Sequence, residues 1–293
     1  MRLSKELSKY YYTAAEARKT LGLDEEAFQY WGREKRVNRI YLPGRKQAVY
    51  SKKEINEIAN KMEATIIAEQ PEGIEFRKAT TADLEAEYEL SHLIFGKGAH
   101  SLETRQTFIK HNPDVDYHLY DHGKLVAFIQ IIPFRHETIE RFITGQERGW
   151  EIDPQTIEPF TPGKPTECIV MEMATTPLVP PGRRTLYGSQ LLLGISEVLK
   201  IWGEHGIILT KLYATSSTET GIRIVKNAGF KTIHDLGRGR YAFELDIAES
   251  NARLVRNHKE ALEEWKEKQA NTHKKRYKEQ TKATRQNNAS KLS

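Results

Sequence analysis

The chain has 293 residues and carries 45 Lys and Arg against 40 Asp and Glu, a formal charge of +5, with 38% hydrophobic and 29% charged residues. That length fits about two domains, and the longest apolar stretch, residues 125–134, contains Gln130 and falls far short of the ~20 residues of a membrane helix. A single cysteine, Cys168, excludes an intramolecular disulfide and fits a reducing cytoplasm, while Arg2, Lys5 and Lys9 precede no apolar run, so no secretory signal is expected.

The charge is unevenly spread. Residues 1–66 hold 14 basic and 9 acidic side chains, residues 67–247 hold 19 and 25, and residues 248–293 hold 12 and 6. A basic, acidic, basic order predicts three modules with those boundaries.

In the first module, Thr13-Ala14-Ala15-Glu16 is a capping box and Gly22 a fitting helix end. Asp24 is expected to cap a second helix, with Leu23 and Phe28 spaced as a hydrophobic staple. One residue between Gly22 and Asp24 forces a sharp turn, the spacing of a helix-turn-helix. Residues 37–50, with Ile40, Leu42 and Tyr50 among basic residues and a turn at Pro43-Gly44, predict a small hairpin. Ser51-Lys52-Lys53-Glu54 is a further capping box, opening a helix with Ile55, Ile58, Ala59 and Met62 on one face.

The run Tyr12-Thr13-Ala14-Ala15-Glu16-Ala17, then Leu21-Gly22-Leu23, Tyr30-Trp31 and the basic hairpin, resembles the MerR and excisionase winged-helix family. The resemblance implies a transcription-regulating module that binds DNA, with Gln29, Tyr30 and Arg33 facing bases or phosphates and Arg45 and Lys46 at the wing tip on phosphate. Glu25 and Glu26 depart from the family's Ser, Thr or Arg; they would repel phosphate unless one accepts from a cytosine amino group. The alternative use of such a module is protein contact or dimerisation. One copy binds DNA weakly, which makes a homodimer an expected partner.

Residues 62–73, with Glu63, Glu69, Pro71, Glu72 and Gly73, form a polar boundary. Residues 74–79 alternate as a strand, and Thr80 to Asp83 start a helix with Leu84, Tyr88 and Phe95 inward, stopped by Gly96. Ser101 opens another helix that ends before Pro113. Residues 117–120 and 124–133 read as strands around the hairpin signal Asp121-His122-Gly123. Residues 135–166 are polar, with four prolines from Pro154 to Pro165, and carry no readable role; residues 167–175 read as a strand.

That strand leads into Pro180-Pro181-Gly182-Arg183-Arg184-Thr185-Leu186-Tyr187-Gly188-Ser189, a basic, glycine-containing loop opening a helix whose buried face is Leu191, Ile195, Val198 and Trp202. Free backbone N–H groups at the positive end of a helix dipole suit a pyrophosphate. Arg183 and Arg184 add charge, and Gly188 lets backbone approach a ligand.

With Arg77-Lys78-Ala79-Thr80, Asp83-Leu84, the hairpin ending Gly123-Lys124-Leu125-Val126, and Ala228-Gly229-Phe230, residues 74–247 resemble the GNAT acyltransferase family in their element order. The resemblance implies an α/β (α+β) fold, a mixed central sheet flanked by helices. It implies acetyl-CoA or another acyl-CoA as cofactor, held by Met173, Ala174 and Thr175 on the strand and by Arg183, Arg184, Tyr187, Gly188 and Ser189 after it. The acceptor would be an amine, on a small molecule or on a protein lysine or N-terminus. Two departures stand out: the family's Arg-x-x-Gly-x-Gly reads Arg-x-x-Leu-x-Gly, with Leu186 at the first glycine, and three extra residues follow Pro177.

Acetylating an amine that is mostly protonated at neutral pH needs a base, and Glu172 is the candidate, its alternative being an outward or arginine-paired carboxylate. The family's tyrosine acid falls on Val225, so Thr218, with Ser217 and Tyr213 behind it, is the substitute that could protonate the departing thiolate. The function expected is an acetyl-CoA-dependent N-acyltransferase coupled to a DNA-binding module. The alternative is a DNA-binding regulator whose GNAT domain senses a CoA thioester without catalysis. His111, His118 and His122 show no ligand spacing, so no metal is expected, and Cys168 reads as core.

In the last module, Leu254, His258, Ala261 and Trp265, with Val255 and Leu262, stripe a helix over residues 253–268. Residues 266–293, with 9 basic and 2 acidic side chains, read as a solvated, disordered tail that adds phosphate contacts or solubility.

Overall fold

A computed structural model describes residues 3–4, 6–23, 25–68 and 72–290, apart from the side chains of residues 60, 62–68 and 272–290. The Asp24 cap and the Met62 side chain fall outside that description, as do Glu69, Pro71 and residues 291–293.

A short helix α1 (Leu7–Tyr10) and strand β1 (Tyr11–Thr13) precede the first predicted helix. The Thr13 box closes as the spacing requires: Thr13 Oγ1 accepts from Glu16 N, and Glu16 Oε2 accepts from Thr13 N, starting α2 (Ala14–Leu21). Gly22 ends that helix at φ +66°, a conformation open to glycine. Helix α3 (Glu25–Arg33) follows, and Leu23 and Phe28 join one small core with Tyr12, Leu21, Val37 and Ile55.

The hairpin over residues 37–50 forms, held by a single bridge in which Ile40 and Val49 exchange backbone hydrogen bonds. Strand β2 (Val49–Ser51) then leaves it to pair antiparallel with β1. The second capping box closes only halfway. Glu54 N reaches Ser51 Oγ at 3.5 Å, but the Glu54 carboxylate accepts from Asn38 N and Nδ2 across to the hairpin. Helix α4 (Lys52–Ala68) buries Ile55 and Ala59 as its periodicity predicts.

Seven strands form the large sheet, in the order β3 (Ile74–Lys78), β4 (Asp116–Asp121), β5 (Lys124–Pro133), β6 (Pro165–Thr175), β7 (Ile208–Ser216), β9 (Tyr241–Asp246) and β8 (Lys231–Asp235). Every neighbouring pair is antiparallel except β6 and β7. This is the expected mixed sheet flanked by helices. The β4–β5 turn places His122 at φ +49° and Gly123 at +75°, the two positive φ angles that a tight hairpin turn demands.

Helices α5 (Leu84–Phe95), α6 (Leu102–His111) and α7 (His136–Ile143) come before the parallel pair; α8 (Pro181–Glu204) connects its two strands, and α9 (Glu219–Asn227) and α10 (Arg253–Ser290) follow. The main core packs the buried stripe Leu191, Ile195, Val198 and Trp202 of α8 against Cys168 and Ile131 of the sheet and Val255 of α10. A second core uses the segment that was opaque in the sequence: α7 and the turns after it supply Ile139, Phe142, Ile152 and Ile157 against Ile169 and Phe108.

Phe95 is 40% exposed, not inward; the buried face of α5 is Leu84, Glu87, Leu90 and Ser91, one step around the helix, with Tyr88 half-buried. The stripe of the last helix packs on α8, as an apolar stripe should, with His258 Nδ1 2.7 Å from the Leu199 carbonyl oxygen and the Trp265 ring where a Cβ on Gly206 would stand; the departure is in the length of the helix. The helix then runs on to Ser290 through the segment expected to be disordered, a stretch with no Gly or Pro and many Lys, Glu, Gln and Ala.

The first module touches the connections that flank the last two strands. Lys19 Nζ donates to the Gly229 carbonyl at 3.3 Å, and Thr20 Oγ1, which donates to the Glu16 carbonyl within its own helix, lies 3.5 Å from the Asn251 carbonyl oxygen.

Candidate functional site

Strands β6 and β7 stay paired only from Pro165 and Ile208 to Ile169 and Tyr213. Beyond that point β6 pairs only with β5, through Val170, Met173, Ala174 and Thr175, and β7 only with β9, through Ala214, Thr215 and Ser216. The parallel pair therefore splays, and among the described residues no strand covers the β7-facing edge of β6 at residues 170–175. Here a bulge assists: between the pairs Ile131–Val170 and Ile129–Met173, the two residues Met171 and Glu172 oppose the single residue Gln130.

Five residues separate Thr175 from the start of helix α8. Pro181 at its first turn has the φ a helix start needs, so Gly182 to Tyr187 are already helical and not the loop that was expected. The N–H groups of Arg183 and Arg184 both donate to the Pro180 carbonyl oxygen, so neither is a free backbone donor. Arg183 and Arg184 are exposed on the first turn, with Ser189 exposed and Gly188 half-buried further along. Arg183 is engaged: Nη2 lies 2.6 Å from Asp121 Oδ2 and Nε donates to Tyr187 Oη at 3.0 Å. Tyr187 is buried, its hydroxyl on the same Asp121 oxygen, and these partners hold the Asp121 carboxyl far below the usual carboxylate range. A Cβ on Gly188 would meet only the Thr175 methyl, at 3.9 Å.

Glu172 lies under the splay, 7% exposed. Oε2 accepts from Ser91 Oγ and from Arg105 Nη2, both at 2.7 Å; Oε1 takes only a 3.3 Å contact from His100 N. Arg105 is fully buried and its other guanidinium nitrogen pairs with Glu87, also fully buried. The chain of contacts continues through Gln130 Nε2 to Glu87 and Asp116, and through His118 to Glu87 and Tyr120. Sequence reasoning missed this network. The available signals were polar residues on apolar faces: Glu87 between Leu84 and Leu90, and Gln130 within the longest apolar run. His118, first read as an ordinary strand histidine, is fully buried within it, whereas His111 and His122 are exposed.

Burial pushes the His100 imidazole down to about 4. An unfolded histidine protonates near 6.5, so as pH falls from there toward 4 the unfolded chain binds a proton that the fold refuses. His100 therefore contributes fully above pH 6.5 and subtracts up to roughly 3 kcal/mol as pH approaches 4. Chemical denaturation at a series of pH values should show this slope in the wild type and a flatter one in His100→Phe; equal slopes would contradict it.

Thr218 caps α9, accepting from Gly221 N at 3.1 Å, which leaves its hydroxyl hydrogen free of that bond. Val225 is packed against the main core. Tyr213 is buried, its hydroxyl 3.3 Å from Glu167 and held protonated far above the ordinary tyrosine value by burial and that carboxylate.

In the first module, the structure brings Gln29 beside Arg39, which donates to its Oε1 at 3.2 Å, while Tyr30 and Arg33 are exposed. Glu25 pairs with Arg18 at 3.0 Å. Arg45 is half-buried and Lys46 exposed at the wing turn, and Arg18, Gln29, Arg39 and Arg45 line one open groove between the helices and the wing.

The fold and site together define a mixed α/β protein with a splayed parallel pair over a buried ionic network. No family model and no curated protein matches the chain. Among solved structures it is similar to the loading GNATL domain of CurA from Lyngbya majuscula, 14% identical over 60% of this chain and 99% of that one, with a TM-score of 0.43. It is similar also to Ard1 from Thermoplasma volcanium, 13% identical over 59% and 97% at TM-score 0.39. A third is the ribosomal-protein-S18-alanine N-acetyltransferase from Escherichia coli, 15% identical over 59% and 93% at 0.37. With every score below 0.5, the functional reading rests on this chain's own residues. Among those described, no helix is long and apolar enough to cross a membrane.

Proposed function

We propose that residues 74–247 are a GNAT-type N-acyltransferase that takes acetyl-CoA or a related acyl-CoA and delivers the acyl group to an amine. The observation that carries this reading is the open edge of β6 at residues 170–175 beside the start of α8. An extended pantetheine arm would pair with that backbone edge as a strand does. Its pyrophosphate would then reach the positive end of the α8 dipole. Arg183 would exchange Asp121 for phosphate, and Gly188 leaves room for the ligand to approach Thr175.

Glu172 is the base in this reading, acting through Oε1, the oxygen without a short hydrogen bond. Thr218 would hydrogen-bond the departing thiolate through its hydroxyl hydrogen, while solvent water supplies the proton that turns the thiolate into the thiol. The acidic balance of residues 67–247 favours a cationic amine on a small molecule or peptide. Thiol release from acetyl-CoA with a panel of amines tests the reading: amine-dependent release supports it, and its absence with every amine favours the second reading. That second reading, a CoA-thioester sensor without turnover, is favoured by one observation, the apolar, core-packed Val225 at the family's acid position.

We further infer that the first module binds DNA and so targets or regulates this chemistry. Support comes from the tight α2–α3 turn, the wing, and Tyr30, Arg33 and Lys46 exposed together with the groove arginines. Gel shifts at several salt concentrations should show binding that weakens as salt rises. Failure to shift DNA at low salt would remove the inference and leave dimerisation or protein contact for this module.

A further inference from the structure

We propose that Glu87, Asp116 and His118 form a buried site for one small divalent cation of the zinc or manganese class. The three side chains each offer one ligand atom, all within 4.8 Å of one another, and all are at most 1% exposed.

The surrounding hydrogen bonds determine which atoms remain free. Arg77 holds the Asp83 carboxylate with two bonds of 2.7 and 2.9 Å. Tyr120 spends its one hydroxyl hydrogen on Asp83 Oδ1 at 2.7 Å, so its oxygen accepts from His118 Nδ1 at 3.1 Å. That contact puts the imidazole hydrogen on Nδ1 and leaves a lone pair on Nε2, the arrangement second-shell partners impose on a metal-ligating histidine. Both Gln130 amide hydrogens go to the outer carboxylate oxygens, Glu87 Oε1 at 2.8 Å and Asp116 Oδ2 at 2.9 Å, and Arg105 also takes Glu87 Oε1.

Three lone-pair atoms are left facing one another: His118 Nε2, Glu87 Oε2 and Asp116 Oδ1. Nε2 lies 2.9 Å from the first oxygen and 3.7 Å from the second. Ligands on a tetrahedral ion with bonds of ~2.0–2.1 Å stand about 3.3 Å apart, between those two values. Asp116 Oδ1 has no hydrogen-bond partner, nor has the fully buried Gln130 Oε1. Charge points the same way. Three buried carboxyl groups, Glu87, Asp116 and Glu172, face one guanidinium, Arg105; with all three ionised the excess is two negative charges, which one divalent ion balances. One imidazole with two carboxylates is a donor set suited to zinc or manganese.

The test is metal content of the full chain, loaded with Zn²⁺ or Mn²⁺ by expression in supplemented medium, then desalted and analysed by mass spectrometry. The wild type should retain about one ion per chain and melt higher than after chelation. Asp116→Asn, which keeps the shape, and His118→Gln should lower occupancy at least tenfold, and Tyr120→Phe should weaken binding roughly 10–100-fold. Loss of the exposed histidine in His122→Ala should change nothing. A metal-free wild type after loading overturns the proposal; an Asp116→Asn variant that then melts as high as wild type identifies a shared proton in its place.

Discussion

Replacing Arg105 with methionine is expected to destabilise the fold by about 3–5 kcal/mol, the cost of breaking a buried ion pair from one side. Methionine fills much of the volume of the side chain but supplies no charge. Arg105 Nη1 pairs with Glu87, Nη2 with Glu172 at 2.7 Å, and Nε donates to the His100 carbonyl oxygen at 3.2 Å, all within a site the guanidinium enters at 0% exposure. The variant leaves two buried carboxylates without their cation, held only by the neutral donors Ser91, His100 N and Gln130, and one carbonyl without its Arg105 donor. Its deficit should shrink as pH falls toward the carboxylate range, because a protonated carboxyl no longer needs the cation. Arg105→Lys should recover only part of the loss, since one ammonium cannot fork across Glu87 and Glu172. Guanidinium unfolding at pH 7 and pH 5 measures both effects. A loss under about 1 kcal/mol would mean that the network carries no buried charge.

Glu172→Gln carries the largest expected effect on rate, a fall in kcat of about 10²–10⁴-fold, the range spanned by general acid–base catalysis. The amide oxygen of glutamine can still accept from Ser91 and Arg105, and Arg105 keeps its pair with Glu87, so the KM for acyl-CoA should change little. Without a base, only amine already deprotonated can attack. For a lysine-like acceptor the residual rate should then climb about tenfold per pH unit between pH 7 and 9, well below the amine's own pKa. A variant that keeps the wild-type kcat and pH profile would reduce Glu172 to a structural partner of Arg105.

Local signals were legible in the sequence where they act over three or four residues. The Thr13–Glu16 box, the Gly22 stop, the Asp121-His122-Gly123 turn and the α8 stripe all formed as their spacing dictates. Ser51–Glu54 has the same spacing and closed only halfway, because Glu54 found Asn38 sixteen positions away. The bulge at Met171 and Glu172 exists only relative to Gln130 on the next strand, and nothing in β6 alone announces it. The ionic network is of the same kind, joining Glu172 to Ser91 and Arg105 across 81 and 67 positions. The loop reading failed for a different reason. In the sequence Pro181 has the composition of a loop, whereas its fixed φ makes it a helix start. Residues 135–166 looked polar because their apolar residues are scattered, yet Ile139, Phe142, Ile152 and Ile157 converge on one core.

Calorimetric titration of the full chain with acetyl-CoA and with CoA tests directly whether the splay of β6 from β7 beside α8 receives an acyl-CoA. Saturable binding of one molecule per chain is expected, weakened about tenfold or more in Arg183→Ala, a loss of at least one charge-assisted hydrogen bond. No heat of binding with either compound, at concentrations well above the ordinary range of cofactor affinities, would contradict it.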